Sequence, residues 1–207
     1  QIGWCHAAFV ACGAYTSFLL QKNFGISPFA TMPLGAILSV GLATLIGYGT
    51  LKHKGPFFSL STMAFAEIVK ALLLYFRGVT NGASGLWIAF SGDSFAKLAF
   101  STDVPFYYIM LVLAVIAFFI SKLFIGSKIG QYLTAIKDDD IAAASVGLEV
   151  FRVKLIAFQI SAALTSIFGT FYAYYLAYID PATICSFELT IKIALMVIVG
   201  GMGTLYG

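Results

Sequence analysis

The stretch from Gly126 to Lys154 reads GSKIGQYLTAIKDDDIAAASVGLEVFRVK, and it decides how the rest of the chain is organised. It is polar, charged and helix-forming, and it lies between two runs apolar enough to cross a membrane. Asp138, Asp139 and Asp140 come just before Ile141, Ala142, Ala143 and Ala144. Acidic side chains ahead of an Ala-rich run mark a helix N-terminus, where carboxylates meet unpaired N–H groups and the positive end of the helix dipole. Gly147 supplies the stop, because glycine tolerates the left-handed backbone that ends helices. The expectation is a short surface helix over residues 138–146, held between spans and directed away from the bilayer. That geometry suits docking.

The composition agrees. Hydrophobic residues make up 60% of the 207-residue chain and charged residues 10%, with a mean hydropathy of +0.95. Soluble domains carry about 25% charged residues, so this chain has too little polar surface to hide its apolar side chains from water. A net charge of +3 is too small to indicate nucleic acid. Cys5, Cys12 and Cys185 are an odd number in apolar surroundings, so they imply small buried side chains rather than a disulfide framework. The chain starts at Gln1 and stops at Gly207 inside a Gly-rich apolar motif, which reads as part of a longer protein truncated at both ends.

About six spans follow from hydropathy, each near the roughly 20 residues that a bilayer core requires. They cover residues 4–20, 32–51, 56–76, 105–124, 155–178 and 189–205. The first is short and contains His6 and Gly13, which reads as a broken or partial crossing. Helix is the state that satisfies the backbone of such segments in lipid. The fold class is therefore all-α, a single polytopic transmembrane bundle over residues 1–207 with a cytoplasmic loop and helix over 126–154. Lys52, Lys54, Lys122, Lys128, Lys137, Arg152 and Lys154, seven of the twelve Lys and Arg residues, fall in connectors on one side, against Lys22, Arg77 and Lys97 on the other. The positive-inside rule puts the Asp-rich helix in the cytoplasm and the loop over 77–104 outside.

Glu67 and Lys70 lie near the middle of the third span, three residues apart and so on one helix face. Each charge costs about 2.5–3.5 kcal/mol at the bilayer centre, so the two must face protein or water. They either line a translocation path, with hydroxyls from Ser59, Ser61 and Thr62 nearby, or form a structural ion pair. Glu188 and Lys192 form a second pair, at i and i+4, placed to reach the interface. Gly203 and Gly207 share a spacing that lets helix backbones approach closely.

Four stretches together resemble a known family. They are His6-Ala7-Ala8-Phe9 through Gly13-Ala14-Tyr15, Thr62 to Val69, Ala135 to Gly147, and Val199 to Gly207. In that order they resemble the permease subunits of branched-chain amino acid ATP-binding-cassette importers, the M-type subunit of high-affinity leucine, isoleucine and valine uptake. The resemblance implies a multi-pass protein of a prokaryotic cytoplasmic membrane. Its implied partners are ATP-binding subunits, a second permease subunit, a substrate-binding protein and the lipid bilayer. It also implies a role for the Asp-rich helix. Such permeases carry a Glu-Ala-Ala, three residues, Gly loop that seats in a groove of the ATPase, and Ala142, Ala143 and Gly147 match that spacing. Ile141 stands at the Glu position, with Asp140 one residue earlier. The implied coupling residues are Asp138, Asp139, Asp140, Ala142, Ala143 and Gly147.

No Gly-x-x-x-x-Gly-Lys-Ser/Thr phosphate loop occurs in the chain, so a transport subunit of this kind draws its energy from a separate ATPase. His6 and His53 are isolated, and no spacing calls for a metal or other cofactor. A urea or short-chain amide permease of the same family, and an ATP-independent transporter, are the alternatives.

Overall fold

Proline and glycine punctuate the helices where their backbone chemistry fits. Pro28, Pro56 and Pro181 occupy first-turn positions, where a missing N–H costs nothing. Gly25, at φ +66°, ends the first helix in the left-handed conformation and donates its N–H to Gln21 O at 2.9 Å. The computed structural model describes residues 3–53, 55–88, 94–95 and 98–201. Along the chain run α1 (His6–Phe24), α2 (Pro28–Thr50), α3 (Pro56–Tyr75), the single turn α4 (Arg77–Thr80), a 3-10 turn at Gly82–Ser84 and β1 (Leu86–Trp87). Then come α5 (Asp103–Gly126), α6 (Lys128–Asp138), α7 (Asp140–Ser145), α8 (Val150–Leu176), β2 (Tyr178–Ile179), α9 (Pro181–Ile184) and α10 (Phe187–Gly201). The strands form one small antiparallel ribbon, with Leu86 opposite Ile179 and Trp87 opposite Tyr178.

Among the described residues, five segments are long and apolar enough to cross a membrane: α2, α3, α5, α8 and Pro181–Gly201. The fold is an all-α bundle built to cross a membrane several times. α1 is a further unbroken helix of 19 residues, about 28 Å at 1.5 Å per residue, close to the hydrocarbon thickness. The expectation of a broken crossing there needs correcting. Gly13 does not interrupt the helix; it lets α8 come close, since a Cβ at that position would collide with the backbone of Ser166. Gly169 does the same from α8 against Val10, and Gly35 of α2 lies close to Gly13. Small residues let three backbones meet where the hydrophobic effect supplies no drive between helices.

α1, α2 and α8 therefore form the centre of the bundle. Toward one end, Cys5, Ala8, Phe9, Ala43, Ile46, Ala66 and Ala162 pack together. Toward the other, Ala14, Tyr15, Phe18, Phe171 and Tyr174 join Leu86, Ile179 and Ile184 beneath the ribbon. Hydroxyls stitch the interior: Gln159 Nε2 donates to Thr44 Oγ1 at 2.7 Å, and Ser17 Oγ contacts both Thr31 Oγ1 and Tyr174 Oη.

α6 and α7 lie at the end opposite the ribbon, beside the end of α2 and the start of α3. A cavity of about 430 Å³ opens between them, lined by Leu51 and Phe58, by Leu133, Ile136, Lys137 and Asp140 of the loop, and by Lys154, Ala157 and Phe158 of α8.

Candidate functional site

Ser127 starts the unit outside the bundle. Its hydroxyl accepts the Gly130 N–H at 3.3 Å and donates to Phe124 O at 2.6 Å, which turns the chain sharply from α5 into α6. Gly130 is required at that turn, because a Cβ would strike the carbonyl oxygens of Phe124 and Ile125.

The three aspartates do different things. Asp138 is the last residue of α6. Asp139 leaves helical geometry, at φ −153° and ψ 110°, and caps α7 by accepting the N–H groups of Ile141 at 2.8 Å and Ala142 at 3.1 Å. Asp140 opens α7 and takes Lys154 of α8 in a two-oxygen ion pair, with Nζ at 2.8 Å from Oδ1 and 2.7 Å from Oδ2. Both side chains are partly shielded, at 28% exposure for Asp140 and 18% for Lys154. The single helix expected over residues 138–146 is thus the end of one helix and the whole of another, because the Asp139 backbone breaks between them.

α7 ends as its glycine requires. Gly147 sits at φ +85°, its N–H bonds Ala144 O at 3.0 Å, and the Leu148 N–H reaches Ala143 O at 3.2 Å. This pair of bonds is the Schellman closure, completed by apolar contact between the residues it brings together. Ala143 and Leu148 both belong to the cluster around Ile136 and Val153.

That cluster separates residues the sequence treats alike. Ala143 is 5% exposed and packs inside this chain, whereas Ala142 and Ala144 are exposed and Ile141 and Val146 are 70% and 82% exposed. A short apolar face of Ile141, Ala142 and Val146 is therefore presented outward, while Ala143 holds the unit to α8. Lys154 escaped sequence reasoning because it stands 14 residues from Asp140, beyond any helical periodicity.

Glu67 and Lys70 do pair, with Nζ 3.6 Å from Oε2, but the bundle does not enclose them: Glu67 is 51% exposed and Lys70 27%. Of the nearby hydroxyls, those of Thr62 and Ser61 are directed elsewhere. Thr62 is buried and accepts the Trp4 N–H at 3.0 Å while donating to Ser59 O at 2.9 Å, and Ser61 lies 3.4 Å from His53 Nδ1. Thr62 and Ala66 line the buried side of α3, and Glu67 lies on the open side. Glu188 and Lys192 pair at 2.7 Å on an exposed face of α10. Gly203 and Gly207 lie outside the described residues, as do Lys54 and Lys97. Among the described residues no group of three or more His, Cys, Asp or Glu side chains is placed to hold a metal ion.

Comparisons with known proteins bear on the whole chain. The profile of the family described as branched-chain amino acid transport system / permease component matches residues 4–207. The high-affinity branched-chain amino acid transport system permease protein LivM of Salmonella typhimurium is 30% identical over 96% of this chain and 52% of its own length. LivM of Escherichia coli is 29% identical over the same shares. A probable branched-chain amino acid transport permease protein LivH of Methanocaldococcus jannaschii is 27% identical over 99% of this chain and 66% of its own. The chain spans about half the length of the first two relatives. No solved structure matches it.

Proposed function

This chain belongs to the branched-chain amino acid transport permease family, and from that premise we propose that it is a membrane-spanning part of an ATP-driven importer for branched-chain amino acids. The observation that carries the reading is the α6–α7 unit. It is rigidly built outside the bundle and presents Ile141, Ala142 and Val146 outward, while its own contacts are satisfied within the chain.

A small apolar face flanked by capped helix ends fits a groove on a partner, and bulky side chains there would keep the two backbones apart. The partner in this reading is an ATP-binding subunit on the cytoplasmic side, consistent with the basic residues Lys122, Lys128, Lys137, Arg152 and Lys154 around the unit. A rigid unit of this kind passes the motion of the ATPase to the spans as a body. Asp139 contributes by shaping the unit, Ala142 by contact, and Gly147 by ending α7 where the chain must return to the bundle.

The open face of α3 supports a further part of the reading. A half-exposed Glu67 near the middle of a span is not stable against hydrocarbon. That face is therefore covered by protein or by water in the working assembly, as a second permease subunit or a translocation path would do. Substrate delivery falls to a separate binding protein.

The test is uptake of labelled leucine and of labelled urea by the full complex reconstituted in vesicles. ATP-dependent leucine uptake with no urea uptake is the expected result. Urea uptake alone would move the assignment to the amide branch, and ATP-independent uptake would overturn the importer reading.

A further inference from the structure

α7 is joined through the chain to α6 and α5 on one side and, by residues 146–149, to α8 on the other, and side chains fasten it further to α8. Lys154 of α8 holds both carboxylate oxygens of Asp140, and next to it Val153 of α8 packs against Ala143 of α7 and Ile136 of α6. The ion pair and the apolar contact bridge the same two helices and act in parallel. Two features set this route into the bundle apart. The cavity separates the loop from the ends at Leu51 and Phe58, and Lys154, Ala157 and Phe158 of α8 line it too, so toward α8 the loop is held by the ion pair and the Val153 contact. Toward α5 the covalent route leads into a helix whose only buried residue is Phe106. α8, by contrast, meets α1 through Gly169 and Val10 and α2 through Gln159 and Thr44.

We propose that the Asp140–Lys154 pair is a strut that fixes α7 to α8, so that force on the docking face reaches α8, and through it α1 and α2, rather than α5. Its functional consequence rests on the reading of the chain as part of an ATP-driven permease; its geometry does not. Asp140 and Lys154 are positioning residues here, acting through helices rather than on a substrate. The ammonium is a compact point charge, so a pair at 2.7 and 2.8 Å to the two oxygens fixes the distance between the helices. Contiguity alone does not establish transmission, so the test has to read coupling.

Two measurements on the full complex decide it. Spin labels at Ala144→Cys and Arg152→Cys, both exposed positions outside the docking face, report the α7–α8 distance once Cys5, Cys12 and Cys185 are replaced. The distribution should be narrow in the parental background and broad with Asp140→Asn or Lys154→Met. In the same variants, substrate taken up per ATP hydrolysed should fall at least about fivefold, the low end of site-to-site coupling, with the ATPase still bound. Lys154→Arg, which can also take two carboxylate oxygens, should keep the parental ratio. A pair with a merely structural role would lower the amount of assembled complex and leave the ratio per complex unchanged, and that result would overturn the proposal. So would an unchanged distance distribution. A parental complex without ATP-driven uptake would defeat the importer reading, while the distance measurement would still decide the strut.

Discussion

α1 and α5 are both membrane-length helices, and they are opposites. α5 has no charged residue from Pro105 to Ser121, and among its residues only Phe106 is buried. α1 begins at His6, ends near Gln21, Lys22 and Asn23, and falls short of the apolarity of the other spans, yet ten of its 19 residues are buried. The difference teaches that apolarity and burial measure different neighbours inside a bilayer. Lipid tails are as apolar as leucine, so a helix facing them must be apolar throughout and gains little from touching protein. A helix surrounded by other helices is instead selected for close approach, and so carries Ala7, Ala8, Ala11, Gly13, Ala14 and Ser17.

The largest effect that would break this contrast lies at the α1–α8 contact. Gly13→Val should destabilise the bundle by about 1–3 kcal/mol or prevent folding, because the added carbons meet the Ser166 backbone, which cannot yield as a side chain end would. Thermal unfolding of purified protein in detergent measures it. A parental melting curve would mean that α1 and α8 do not touch as described.

Parts of this were legible from residue order. The apolar runs, the Pro and Gly punctuation, the glycine stop at Gly147 and the Glu67–Lys70 spacing each rest on local chemistry, which a sequence carries directly. The depth of α1 was not legible, since Gly13 reads equally as a break or as a packing surface until its neighbour is known. The division of labour among Asp138, Asp139 and Asp140 was hidden for a related reason. It depends on Lys154, brought near by folding, and on a backbone break at Asp139 that any of the three acids could have supplied. Ala142 and Ala143 look interchangeable in sequence and differ only in which side of α7 meets α8.

The next effect concerns the α6–α7 unit against the bundle. Gly147→Ala forces a side chain into the left-handed region and should cost about 1–2 kcal/mol, confined to the loop. Hydrogen exchange at the Leu148 amide, which bonds Ala143 O, should quicken while the amides of α1 stay protected. Equal loss of protection in both regions would show that the unit and the bundle are one cooperative block.

A smaller effect sharpens the view of α3. If water covers the open face of α3, a double-mutant cycle with Glu67→Gln and Lys70→Met should show a coupling of about 0.2–1 kcal/mol, the range for pairs that solvent reaches. A coupling well above that range would mean that the face is enclosed when the protein is in its membrane. The smallest effect belongs to α5, where Ile116→Ala on the exposed face should change stability by no more than about 0.5 kcal/mol in the same melts. A loss comparable with that of Gly13→Val would erase the distinction between the two helices.

The most direct test of the account replaces Ala142, exposed on α7, with tryptophan in the full complex. Because Ala142 faces away from the Ile136, Ala143 and Val153 cluster, membrane insertion and thermal stability should stay parental. The ATP-binding subunit should co-purify poorly, and ATP-dependent leucine uptake should be lost. A variant that inserts normally, retains its ATPase and takes up leucine at the parental rate would contradict the assignment of α7 as the surface through which ATP hydrolysis reaches the membrane.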